Sequence, residues 1–277
     1  MSTPELPELE VLRRDLEKEV VGKKIKTVEI PGAQTAKRGG TKKTLIARLE
    51  GIKIDSVVRR GTTIVIGLES GEKLLINLGD GAGLRRNQNK DEVPPGTAVV
   101  ITFTQGGQLR VLDPNKRSEF FVVTEEELPD ALGPLGTDLI DEPIPWTKFG
   151  EMVLRRSGKL KQILMDPSML VGIGPVYSDE ILFEAGLRFD RTPETLSTQE
   201  IRRLSRAAVE IVHDAVKHGG VTIGPDGFRN LQGEPGGYGD LINVYKRDGE
   251  MSPRARGPIV KAKVGGIYTY FCEQTQV

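Results

Sequence analysis

Three stretches of the 277-residue chain bring chemically capable groups together. Val171-Gly172-Ile173-Gly174 is a glycine-spaced turn between two helical patterns. It serves equally as a tight helix connection or as a cradle whose backbone N–H groups approach a phosphate, since glycine lets the main chain come close. From Lys246 to Lys263, six basic side chains stand against Asp248 and Glu250, a net +4 that slightly favours a polyanionic partner over a plain solvated face. The third stretch, Pro4-Glu5-Leu6-Pro7-Glu8-Leu9-Glu10, sets carboxylates at a helix start. By itself it reads as capping and dipole pairing of that helix.

The elements that must position these groups follow from periodicity. Leu9, Leu12, Leu16 and Val20 recur at helical spacing over Glu8–Val21, with Gly22 as a stop. Short alternating runs then follow at 25–30, 63–66, 74–76, 99–103, 109–112 and 119–123, separated by Gly, Asn and Asp turns. That pattern predicts an antiparallel sandwich or barrel behind one leading helix. Residues 124–142 carry seven acids and no base, and read as a solvated linker. Helices are expected at 149–156, 160–165, 176–185 and 199–217, the last capped by Ser197 and Glu200. Residues 219–240, with eight glycines, read as a long flexible loop, and the runs 259–264 and 267–271 around Gly265-Gly266 as a hairpin. The fold class is therefore α+β.

Composition bounds the function. Basic and acidic residues balance at 39 each, which argues against an all-round basic coat but leaves room for one basic face. One cysteine, Cys272, excludes an internal disulfide and a zinc site built from several thiolates. No apolar run is long enough to span a bilayer and no export signal is legible, so a cytoplasmic protein without membrane contact is expected. His213 and His218, five apart, do not share the helical face a metal pair needs. Trp146 reads as a packing anchor for the linker.

Together these stretches resemble the formamidopyrimidine-DNA glycosylase / endonuclease VIII family of base-excision repair enzymes, over essentially the whole chain. PELPELEVLRRDL at the start is similar to the family's PELPEVE opening. LKQILMDPSMLVGIGPVYSDEILFEAGL (160–187) resembles its helix-two-turns-helix DNA-binding element. VYKRDGE, SPRARGPI and GGIYTYFCEQTQ resemble its C-terminal zinc-finger segment. The resemblance implies a β-sandwich domain over 1–123, an acidic linker over 124–148, a helix-two-turns-helix domain with a lesion-capping loop over 149–240, and a finger hairpin over 241–277. It also implies a monomer that binds DNA, including damaged or abasic duplex, without a cofactor. Pro4 and Glu5 take the places of the family's nucleophile and its acid–base partner. Lys161, Gly172, Gly174, Tyr177 and Lys116 fall at DNA-binding positions.

Against that pattern the chemical positions depart. The family's nucleophile is a chain-terminal secondary amine, effective because such an amine has a pKa near ~8. Here Ser2 and Thr3 precede Pro4, whose nitrogen then lies inside an amide. The supporting lysine is Thr62, an apolar wedge is Asp80, and the aromatic wedge is missing from Asp113-Pro114-Asn115-Lys116-Arg117. Pro175 replaces an asparagine at the phosphate turn, Ile267 replaces the fingertip arginine, and three zinc thiolates are Ser252, Ala255 and Thr275. No metal is expected, and Tyr268, Tyr270 and Phe271 are expected to supply the hairpin's apolar contacts instead. The leading expectation is a DNA-binding homologue with impaired or lost catalysis. An active glycosylase/lyase, trimmed to Pro4 or using the Ser2 amine, is the second, and a scaffold that has left DNA the third.

Overall fold

The computed structural model describes residues 3–32 and 34–277, so Ser2 and its amine lie outside the described residues. Two units result, Met1–Gly133 with His218–Gly239, and Pro134–Lys217 with Asp240–Val277.

The first unit opens with α1, Leu6–Val20. It begins two residues before the apolar period because Glu8's carboxylate accepts from the Glu5 N–H (3.0 Å) and Pro7 needs no N–H donor partner in the first turn. Leu9, Leu12, Leu16 and Val20 enter the main core. Two four-stranded antiparallel sheets enclose that core with them. One has the order β1 (Ile25–Glu29), β6 (Thr97–Phe103), β7 (Gln108–Leu112), β5 (Gly83–Asn87). The other runs β2 (Ile54–Arg60), β3 (Thr63–Leu68), β4 (Lys73–Asn77), β8 (Glu119–Val123). Ile64, Ile66, Leu74 and Ile76 of the second sheet and Val99, Ile101, Leu109 and Val111 of the first belong to one apolar cluster, which makes the pair a sandwich. A short helix α2, Lys42–Leu49, capped by Thr41, adds Leu45 and Leu49.

Two expected boundaries are corrected. The acidic stretch is more than a linker: α3, Leu128–Leu132, packs Leu128, Ala131 and Leu132 on the sandwich's outer cluster of Val65, Leu75, Phe121 and Val123. The glycine-rich segment belongs to the first unit rather than to the helical one, because Leu231 is fully buried in the sandwich core. It is also tied by hydrogen bonds, so an unanchored loop does not describe it.

The second unit holds α4 (Trp146–Leu154), α5 (Leu160–Leu164), α6 (Pro175–Ala185), α7 (Thr198–Lys217) and the hairpin of β9 (Val260–Val264) and β10 (Ile267–Phe271). Ile201, Leu204, Ala208, Ile211, Val212 and Ala215 form the buried stripe of α7. Trp146 starts α4 and lies 4.2 Å under the Arg202 guanidinium. Gly186, left-handed at φ 67°, ends α6. Among the described residues no helix is long and apolar enough to cross a membrane.

Candidate active site and phosphate turn

In the first unit the site forms where α1 begins. Pro4 and Glu5 are buried, Glu5 being 6% exposed. Glu8 bridges two segments: one oxygen accepts from Glu5 N and the other from Val221 N at 2.8 Å. A Cβ on Gly220 (φ +81°) would meet Glu8 Oε1 at 3.0 Å, so only glycine lets the segment lie this close. Below them Glu10, 3% exposed, pairs with Arg13, Arg14 and the buried Arg59. Burial pushes the Glu10 carboxyl up, but hydrogen bonds from Arg13 and Arg14 and the charges of Arg13 and Arg59 outweigh it and hold it below the ordinary range.

A cavity of about 240 Å³ opens beside Pro4. Its walls include Pro94, Pro95, Pro114 and Pro225, with Arg85, Arg229 and Asp226 as its charged groups. The glycine-rich segment forms part of this wall and is held in place. Arg85 Nη1 donates to the carbonyls of Arg229 (3.0 Å) and Asn230 (3.1 Å), Arg86 N donates to Leu231 O (2.8 Å), and Thr222 donates to Phe228 O. Sequence reasoning missed Arg85, Arg229 and Leu231. The available signal was a lone leucine among glycines.

The neighbouring loops carry the departures. Thr62 is exposed in the β2–β3 turn, and Asp80 is half-buried. Asn115 donates to Asp80 O at 2.9 Å, joining the two wedge loops. Asp113 braces its own loop by accepting from Arg117 N, Ser118 N and Thr35 Oγ1. Lys116 stands exposed at φ 56°, a left-handed conformation that presents it on the loop.

In the second unit, Gly172 (φ 68°) makes the turn and Gly174 caps α6. Pro175 at the first helical position removes one N–H from the turn. Lys161 and Tyr177 are fully buried, which corrects their expected role as DNA-facing side chains. The Lys161 ammonium donates to Asp179 Oδ1 at 2.6 Å and Pro175 O at 3.2 Å, holding the turn from behind. Asp179 also accepts from Thr269 Oγ1 (2.5 Å) and Tyr270 N (3.0 Å) of β10. Burial raises its carboxyl to about 6, against the lowering effect of Lys161, Thr269 and Tyr270. Glu180 accepts from the N–H groups of Asn243, Val244 and Tyr245. Two adjacent carboxylates thus fasten the chain around the hairpin to α6.

The zinc implied by the finger resemblance does not fit the residues at its positions. A structural zinc needs four donors around one point. Ala255 supplies none, Ser252 Oγ accepts from Arg254 N, and Cys272 is the one thiol. Among the described residues no group of three or more His, Cys, Asp or Glu could hold a metal ion. The Cys272 thiol is buried instead beside hydroxyls. Burial pushes it up, and hydrogen bonding from Ser252 and from the Gln274 and Thr275 backbone outweighs that and leaves it below the ordinary thiol value. Gln276 accepts from Cys272 N and donates to Leu187 O, both at 2.9 Å, clasping the strand end to the helical unit. Phe271 packs on Phe189 (4.8 Å) and Tyr270 on Tyr245 (5.2 Å). Tyr268, expected among these contacts, is 48% exposed between Lys261 and Lys263.

A helix-led sandwich with a carboxylate site at its first helix, and a helical unit with a glycine turn and a β-hairpin, is the architecture of base-excision DNA glycosylases. Residues 3–120 match the formamidopyrimidine-DNA glycosylase N-terminal domain, and residues 135–226 match its H2TH domain. The formamidopyrimidine-DNA glycosylase of Bacillus cereus is 31% identical over 271 residues, 97% of each chain. That of Thermus thermophilus is 32% identical over 276 residues, 99% of this chain and 98% of its own. Among solved structures, Lactococcus lactis Fpg in complex with abasic-site DNA superposes with a TM-score of 0.90 at 28% identity, covering 99% of both chains. The chain belongs to the formamidopyrimidine-DNA glycosylase family.

Proposed function

We propose that this protein binds duplex DNA at damaged or abasic sites with its glycosylase and lyase chemistry impaired or lost. The observation that carries the reading is Pro4. Its nitrogen is acylated by Thr3, so the lone pair that would attack the sugar C1′ is delocalised into an amide. Glu5 remains able to hold or move a proton, but the Pro4 nitrogen, as an amide, cannot form the covalent intermediate. The surrounding departures agree. Exposed Thr62 brings no charge where the family pattern has a lysine, and Asp80 brings a carboxylate that repels phosphate and fills an abasic gap poorly.

Binding is supported by separate features. Lys116 is exposed on the Asp113–Arg117 loop, and the glycine turn is made with Gly172 left-handed and Gly174 extended ahead of Pro175. Lys161 and Tyr177 support that turn from inside. The hairpin offers Lys261, Lys263 and exposed Tyr268. The family's zinc is replaced here by the Cys272–Gln276 clasp and the Phe271 and Tyr270 contacts. The solved relatives in complex with abasic-site or damaged DNA support the same partner. A second reading, an active lyase after cleavage before Pro4, is favoured by the preserved Glu5–Glu8–Val221 bridge and by relatives named as glycosylases.

Fluorescence anisotropy with an abasic-site duplex over a salt series, with strand scission followed on the same samples, tests the proposal. Salt-sensitive binding without scission is expected. Scission by chain that retains Thr3 contradicts the loss of catalysis, and an absence of duplex binding at physiological salt contradicts the DNA-binding reading.

A further inference from the structure

Arg85 and Arg229 both line the cavity beside Pro4. Several other guanidinium groups of this unit meet carboxylates: Arg13 and Arg59 meet Glu10, Arg48 meets Glu72, and Arg86 meets Glu19. Among the described residues neither Arg85 nor Arg229 has an acidic partner within ion-pair distance. Their hydrogen bonds leave from one nitrogen each and end on backbone carbonyls. Arg85 Nη1 serves Leu84, Arg229 and Asn230, and Arg229 Nη1 serves Gly233. Nε and Nη2 of both side chains make no bond among the described residues. Burial, and then the charge of Arg229, lower Arg85 from the ordinary guanidinium value. Two cations with spare donors therefore share one half-enclosed space, and Asp226 on its wall pairs with neither.

We propose that this cavity is a phosphate site, in which one phosphate group sits between the Arg85 and Arg229 guanidiniums against the wall formed by Pro4. A guanidinium presents its N–H groups as a planar fork that matches phosphate oxygens, and two such forks meet the charge of a phosphate ester. A cavity of about 240 Å³ is below the ~300–1,000 Å³ typical of drug-sized ligand sites and suits one small group. The proline walls are rigid and donate nothing, so recognition falls to the arginines. Asp226 lines the same cavity and opposes an anion, which sets the affinity below what the arginines alone would give. The phosphate can come from a DNA backbone or from a free nucleotide. The first source rests on the DNA-binding reading above, whereas the site itself does not.

The test uses the full chain, with Arg229→Gln, Arg85→Lys and Asp226→Asn variants checked for folding by thermal melts. Inorganic phosphate and a deoxynucleoside 5′-monophosphate are titrated by calorimetry, and an abasic-site duplex by anisotropy over a salt series. Arg229→Gln is expected to weaken a phosphate-bearing ligand about tenfold, and Asp226→Asn to strengthen it. Arg85→Lys keeps the charge but loses the fork, and is expected to weaken binding as well. Loss confined to the free ligands assigns a nucleotide site. Loss on the duplex, with the salt slope reduced by about one, assigns a backbone phosphate. Unchanged affinity within about twofold for all three ligands in both arginine variants overturns the proposal, as does a wild-type chain that binds none of them. Duplex binding that ignores both arginines, in a chain that binds neither free ligand, overturns the site alone, and phosphate binding without duplex binding overturns the DNA reading alone.

Discussion

Replacing Lys161 by Met tests the buried pair that supports the glycine turn. The two side chains are 1% and 0% exposed, with Nζ 2.6 Å from Asp179 Oδ1. Met matches the lysine stem in shape but leaves Asp179 without its cation. Removing one partner of a buried ion pair costs about 3–5 kcal/mol, because the remaining charge is left uncompensated. Thr269 Oγ1 and Tyr270 N still donate to Asp179 and moderate the loss, so ~3 kcal/mol is expected, a melting shift of roughly 6–12 °C. The pH dependence fixes the cause. The folded pKa of Asp179, about 6, lies above its unfolded value of 3.8, so its contribution is present below 3.8 and is lost as pH rises through 6. Without Lys161 the folded value rises further. Wild type then levels off above pH 6 while Lys161→Met keeps losing stability toward pH 8. Thermal melts at pH 4, 6 and 8 measure this, together with the Lys161→Met/Asp179→Asn double variant, which should recover about 1–2 kcal/mol. A cost under ~1 kcal/mol that does not change with pH refutes the reasoning.

Three further outcomes are expected. Leu231→Ala should lower stability by about 2–5 kcal/mol and make the segment 218–239 open to limited proteolysis, because Leu231 is its one side chain fully buried in the sandwich core. Glu200 is held at about 2 by hydrogen bonds from Ser197 N–H and hydroxyl and by Arg191, so its stabilisation is present above its unfolded value of 4.5 and fades as pH falls toward 2. Glu200→Gln should therefore cost about 1 kcal/mol at pH 7 after solvent screening, and less at pH 3, in urea melts. Excess chelator should leave the melting temperature within about 1 °C and added zinc should not raise it, since the finger positions do not fit the metal; a chelator-induced unfolding transition would show otherwise.

The most legible elements were those whose side chains obey one period. α7 keeps a clean apolar stripe and a Ser197–Glu200 box, and the hairpin turns at Gly265-Gly266, where the backbone needs positive φ. β5 stayed hidden because Arg85 and Arg86 sit in its middle, and their partners, Glu19 and the carbonyls of 229–230, are distant in sequence. α2 stayed hidden because eight residues give too few turns for a period. Within the site, Pro4, Glu5 and the glycine turn could be named from motifs. Lys161 misled, since a lysine reads as surface until its buried carboxylate, eighteen residues on, is known. The glycine-rich segment misled in the opposite direction, because one leucine and a few backbone hydrogen bonds anchor what composition alone presents as loose.

The central claim is that an amide-blocked Pro4 removes covalent chemistry from a glycosylase fold. Borohydride trapping on an abasic-site duplex tests it, with intact mass taken on the same preparation. The account predicts no protein–DNA adduct from chain that retains Thr3, and an adduct once cleavage makes Pro4 the first residue. An adduct formed by chain whose Thr3–Pro4 bond is intact would contradict it.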